Sequence, residues 1–162
     1  MSTDRIEKVV VLRATRERVW RAISDSARFG AWFGVEFDGN FVAGEWVTGR
    51  IVPTQVDEVV ARLQEKARGM AFSVLVEAIV PMERFSFRWH PFAVDPGQDY
   101  AQEAMTLVAF VLDDVEGGVR LTISESGFDA LPIGRRDAAR EANDGGWGHQ
   151  ARLIGLYLAR EA

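Results

Sequence analysis

Beyond residue 70 the hydrophobic period changes once, and that change limits the fold more than any other feature. Met70 to Val80, Arg84 to His90, Met105 to Leu112 and Val119 to Phe128 read as strands rich in β-branched and aromatic residues. After Pro132 the pattern becomes helical. From about Arg136 to Ala159 an apolar stripe runs through Trp147, Ala151, Ile154 and Leu158, at i, i+4, i+7 and i+11. A run of strands closed by one long helix implies an antiparallel sheet with its helices on one face.

The first half supplies the remaining elements. Ile6 to Arg13 is a Val-rich strand. Thr15 offers a helix cap, and Val19, Trp20 and Ile23 make residues 16–23 a short amphipathic helix. A second short helix, capped by Asp25 or Ser26, holds Phe29 and Trp32 and ends at Gly34. Val35 to Phe37 and Glu45 to Val52 are strands around the turn cluster Asp38-Gly39-Asn40. Gly44 and Gly49 suggest a bulge or a sharp bend there. Val56, Val59, Val60 and Leu63 fit a helix of one or two turns in an inserted loop. Pro91 to Ala104, with Asp95-Pro96-Gly97, is a long loop, and Glu116-Gly117-Gly118 turns the last hairpin. Asp129 is the expected cap before the long helix, and its glycines, Gly145, Gly146 and Gly148, are expected to let it lie close to the sheet. The fold class is thus α+β: a curved antiparallel sheet of about six to seven strands around a long C-terminal helix, with two short helices after strand 1.

A length of 162 residues fits one domain, residues 1–162. The net charge of -5 and the lack of any Lys/Arg run argue against nucleic acid as a partner. Charges at Asp4, Arg5, Glu7 and Lys8 interrupt any signal-peptide core, and no apolar run reaches the ~20 residues of a membrane helix. The expected location is therefore the cytoplasm. With no cysteine there are no thiolate metal sites or disulfides. The two histidines lie far apart in sequence, so no metal site is expected, and no phosphate cradle, dinucleotide fingerprint or hydrolase elbow occurs. No cofactor is expected.

Five segments in order resemble a known family: ATRERVWRAISDSARFGAWF at 14–33, FDGNFVAGEWVTGRIV at 37–52, RFSFRWHPF at 84–92, GGVRLTISESGFDALP at 117–132 and NDGGWGHQARLIGLYL at 143–158. Together they are similar to the homologues of the activator of heat-shock protein 90 ATPase, within the SRPBCC or START-like superfamily. The resemblance implies the helix-grip fold of the birch-pollen allergen and a hydrophobic cavity between sheet and helix. The eukaryotic co-chaperones that name the family carry a separate N-terminal chaperone-binding domain, for which this chain has no room.

Five Trp and ten Phe are many for a small acidic chain. Phe85, Phe87 and Trp89 share one face of a strand, as do Phe110 on the next and Ile123 on the one after. Trp32, Phe33, Phe37, Trp46 and Phe72 lie on neighbouring elements, with Trp147 and Ile154 opposite on the helix. These residues line a cavity or fill a core. Glu125 shares the parity of Leu121 and Ile123 and should point inward, to meet a ligand, to move a proton, or to pair with Arg88 or Arg136. His90 sits at a cavity-rim position, where alternation turns it away from the Trp89 face, and His149 faces solvent.

Three functions remain open. The first is binding of a small hydrophobic or aromatic ligand, with the protein a monomer or homodimer. The second is a cavity enzyme of aromatase/cyclase type, with no recognised catalytic motif and Glu125, Arg88 and His90 as candidates. The third is a co-chaperone-like interaction module, using an outward patch of Leu153, Leu156 and Tyr157.

Overall fold

The computed structural model describes residues 4–93, 97 and 99–160. Strand β1 (Arg5–Leu12) leads into two short helices, α1 (Arg16–Ser24) and α2 (Ser26–Phe33). Thr15 caps α1 by accepting from the Arg18 N–H. Asp25 ends α1 and caps α2, accepting from the Ala27 and Arg28 N–H groups. Gly34, at φ 94°, supplies the left-handed residue that stops α2.

Five further strands and one helix follow before the last hairpin strand: β2 (Val35–Phe37), β3 (Trp46–Ile51), α3 (Glu58–Glu65), β4 (Ala71–Val80), β5 (Arg84–Trp89) and β6 (Thr106–Val115). Strand β7 (Gly118–Ser126) completes the sheet, and helix α4 (Ile133–Arg160) ends the chain after a short 3-10 turn at Phe128–Ala130. The seven strands form one antiparallel sheet in the order β1-β7-β6-β5-β4-β3-β2. β1 and β2 are its opposite edges, so α1 and α2 carry the chain from one edge to the other. The sheet with its long terminal helix is the helix-grip arrangement.

Several local expectations are corrected. The sheet irregularity lies between Val76 and Ala78, where β4 slips against β5, whereas Gly49 stays in regular register opposite Phe72. Gly49 instead makes room: a Cβ there would sit 2.6 Å from the Val35 side chain. The last hairpin turns on Glu116 and Gly117 alone, because Gly118 already pairs with Val115. Asp129 lies in the 3-10 turn, and the local cap is Asp4, whose carboxylate accepts from the Gly127 and Asp129 N–H groups. Within the 91–104 loop, Asp95 and Pro96 fall outside the described residues.

The core forms where the inward parities of the strands meet α2 and α4. Phe29 is its hub, its ring against those of Trp32, Phe33, Phe37, Phe41, Phe85 and Phe110 at 4.8 to 6.4 Å. Trp32 is wholly buried and donates its indole N–H to the Ala22 carbonyl at 2.9 Å, so its polar atom is satisfied. Leu153 and Tyr157 are buried as well, on the side of α4 that meets α1 and α2. The outward patch expected from Leu153, Leu156 and Tyr157 is therefore absent.

Candidate functional site

Glu125 points inward from β7, opposite Val108, and is 0% exposed. A buried carboxylate needs partners, and this one has them on both oxygens. Oε2 accepts from the Trp89 indole N–H at 2.8 Å and from the Thr106 hydroxyl at 2.5 Å. Oε1 accepts from the Trp147 indole N–H at 2.8 Å and from the Asn143 amide at 2.9 Å. The donors come from β5, β6 and α4, so one side chain ties the long helix to three neighbouring strands. All four donors are neutral. The ion-pair partners expected for Glu125 are engaged elsewhere: Arg88 with Glu77 at 2.9 Å, and Arg136 with the carbonyls of Asp129 and Leu131.

Beside this cluster lies a cavity of about 820 Å³. Trp46, Ile51, Phe72 and Ser73 border it from β3 and β4, and Leu63 and Gln64 from α3. Phe33 closes it at the end of α2, and Asn143 and Gln150 face it from α4. Trp89, His90, Phe92 and Tyr100 complete the rim. None of the described lining residues is Lys, Arg, Asp or Glu. The volume lies in the range of small-molecule sites, which are mostly apolar with a few polar groups.

The structure divides the residues singled out in the sequence. Phe33, Phe72 and Trp89 line the cavity, as does Trp46, which is 55% exposed at its border. Trp32, Phe85, Phe87, Phe110, Ile123 and Ile154 are buried in the core outside the lining, and Phe37 packs against that core. Trp147 and Glu125 stand behind the wall, joined to it through Trp89 and Asn143.

Three polar lining residues, Asn143, Gln150 and Gln64, escaped the sequence reading. Asn143 and Gln150 sit at i−4 and i+3 from Trp147, on the stripe already read, but an apolar criterion passes over them. Gln64 belongs to a helix read as part of an inserted loop. His90 was placed at the cavity rim, with alternation turning its side chain away from Phe87 and Trp89. Strand β5 stops at Trp89, so alternation no longer governs His90, and it lines the cavity with Nδ1 buried and without a partner.

Two contacts position the walls. Asp57 caps α3 by accepting from the Val60 N–H at 2.9 Å, and Arg152 of α4 pairs with it at 2.8 Å. The Val60 hydrogen bond first, and the Arg152 guanidinium second, hold the Asp57 carboxyl below its ordinary range. Arg135 binds Glu103 through Nε and Nη2 and donates to the Pro91 and Phe92 carbonyls through Nη2 and Nη1, which anchors the rim to the start of α4. Phe92 sits at φ 49°, an uncommon conformation for a residue with a side chain.

The helix behind the wall holds Gly145, Gly146 and Gly148 in its middle, and a Cβ at any of them would meet nothing within 4 Å. The expectation that these glycines allow a close approach to the sheet is thus incorrect. They face open space. Among the described residues no group of three His, Cys, Asp or Glu is placed to hold a metal, and no helix is long and apolar enough to cross a membrane.

No curated protein matches the chain in sequence. Solved structures share its fold at low identity. Protein MLL2253 of Mesorhizobium loti matches with a TM-score of 0.70 at 18% identity, over 98% of each chain. The Aha1 dimer of Colwellia psychrerythraea matches with 0.65 at 12%, over 95% of each chain. DynU16, from the dynemicin biosynthetic locus, matches with 0.62 at 22%, over 93% of this chain and 47% of its own. Residues 13–159 match the sequence model of the family described as activator of Hsp90 ATPase homolog 1-like protein, and the chain belongs to that family.

Proposed function

We propose that this protein binds a small hydrophobic or aromatic molecule in the cavity between β3, β4, α3 and α4. The observation that carries the reading is the cavity itself, about 820 Å³ with aromatic walls and no charged lining residue among those described. Burial of apolar surface at roughly 25 cal/mol per Å² supplies the affinity, and the few polar groups fix orientation. The Glu125 cluster supports a positioning role. It holds Trp89 and Asn143, two lining residues, by their donor atoms.

The same cluster weighs against Glu125 as an acid or base, because both oxygens are already engaged and the residue is not part of the lining. Arg88, the second catalytic candidate, pairs with Glu77 and also lies outside the lining. The interaction-module reading loses its proposed patch through the burial of Leu153 and Tyr157.

Native mass spectrometry of freshly purified protein, with organic extraction, tests the proposal. A stoichiometric co-purifying hydrophobe is the expected result. A clean ligand-free mass, together with no binding by any apolar probe, would overturn it.

A further inference from the structure

The polar atoms of the cavity wall are not neutral in what they ask of a ligand. Gln64 is spent at both ends: its Oε1 accepts from the Thr54 N–H and its Nε2 donates to the Phe33 carbonyl. The Ser73 hydroxyl pairs with that of Thr48, and the Trp89 indole N–H is given to Glu125. Asn143 and Gln150 remain. Their amide orientations are fixed by partners that only accept, a carboxylate and a carbonyl. Asn143 turns its Nδ2 to Glu125, and Gln150 turns its Nε2 to Phe33. Each amide therefore keeps its oxygen for something else. Among the described residues no hydrogen bond engages Asn143 Oδ1, and Gln150 Oε1 is buried with no partner.

From this we infer that the cavity selects an uncharged aromatic molecule carrying a hydroxyl donor, with Asn143 Oδ1 as the group that reads it. This inference rests on the cavity-binding reading and specifies its ligand class. A carboxylic acid finds no Lys or Arg in the described lining and meets the buried Glu125 behind Asn143. An ammonium group fares little better. Glu125, behind Asn143, is already occupied by four donors, and a cation without a partner is costly to bury. A hydroxyl gives the wall its missing donor and brings no charge. The His90 ring, whose Nδ1 also lacks a partner, serves a hydroxyl in either sense, as acceptor or donor.

Four probes of one shape test this by titration calorimetry: 2-methylnaphthalene, 2-naphthol, 2-naphthoate and 2-naphthylmethylammonium. The expected order places naphthol about tenfold or more tighter than methylnaphthalene, the worth of one good hydrogen bond. Naphthoate and the ammonium bind more weakly than the hydrocarbon. Asn143→Leu should bring the ratio of naphthol to methylnaphthalene affinity, both measured on the variant, down to about one, with near-ultraviolet circular dichroism reporting that the fold is retained. Naphthoate or the ammonium binding as tightly as naphthol overturns the inference. So does methylnaphthalene matching naphthol in the native protein, although either result leaves the cavity reading intact. If none of the four binds, both fall. Should Asn143→Leu not fold, the order of the four probes on the native chain decides alone.

Discussion

Trp89 and Trp147 donate their indole N–H groups to opposite oxygens of Glu125, and their rings lie 5.9 Å apart between centroids. One indole belongs to the sheet and the other to the long helix. The carboxylate between them sets how far α4 stands from β5, and so sets one dimension of the cavity. The two rings also shield the charge that aligns them.

Replacing Glu125 by Gln puts an NH2 group where two donors converge. On the Oε1 side Asn143 can turn its amide over, but the Trp147 N–H has no alternative; on the Oε2 side Thr106 can rotate, but Trp89 cannot. Either way one indole N–H faces another N–H. Glu125→Gln should lower stability by about 2 to 3 kcal/mol, within the range for a buried unsatisfied donor. The urea midpoint at constant slope measures it. An unchanged midpoint would mean the cluster contributes no stability.

Gly145 and Gly146 weaken a helix without a packing reason, since a Cβ at either meets open space. Gly145→Ala and Gly146→Ala should each raise stability by up to about 1 kcal/mol. The opposite is expected of Gly118→Ala, whose Cβ would lie 2.1 Å from the Leu12 carbonyl oxygen. Thermal midpoints of the three variants, moving in these opposed directions, check the pair of expectations. A loss of stability in both helix variants contradicts the first.

Arg135 and Glu103 are only 16% and 10% exposed in their side chains. Arg135→Met removes the charge-assisted hydrogen bonds of this sheltered pair, so it should cost about 2 to 3 kcal/mol. It should also free the carbonyls of Pro91 and Phe92. Amide exchange at Glu103, whose N–H is bonded to the Tyr100 carbonyl at 3.0 Å, should then rise more than exchange in β6. Equal changes across the whole chain would instead indicate a global effect without a local anchor.

Asp57 makes the cavity wall sensitive to acid. Its carboxyl is held below the ordinary range, so its contribution is present above the unfolded value of about 3.9 and is lost as pH falls through the lower folded value. The carbon-13 shift of the Asp57 carboxyl should titrate with a midpoint below that of an unstructured aspartate. Arg152→Ala should raise the midpoint. A midpoint at the ordinary value in the native protein would remove the acid-sensitive cap from α3.

The sequence was most informative where a period repeats. The strands from 70 to 128 and the stripe through Trp147 and Ile154 were legible because packing on one face demands regular spacing. The inward turn of Glu125 followed from parity with Leu121 and Ile123. Its partners did not, because Trp89, Thr106, Asn143 and Trp147 meet only when sheet and helix are assembled, and a neutral indole looks like any other core aromatic. Periodicity also failed at element ends. His90 was read at the rim, but its ring turns to the cavity because β5 has stopped, and Leu153 and Tyr157 were read as outward because the position of α1 and α2 against α4 is not written in α4. Cavity and core residues share one apolar code, so Trp32, Phe85 and Phe110 could not be separated from Phe33 and Phe72 before the fold was known.

The pairing of β1 with β7 has a consequence for how the chain comes to be folded. Arg5 lies opposite Ser126 and Leu12 opposite Val119, so among the described residues the first strand finds its sheet partner more than a hundred residues away. Closing so long a loop is an entropic barrier, and topologies dominated by distant pairings assemble slowly. On the ribosome, β1 emerges more than a hundred residues before the strand it pairs with. Its exposed Val9 and Val11 make that interval a hazard of misassociation.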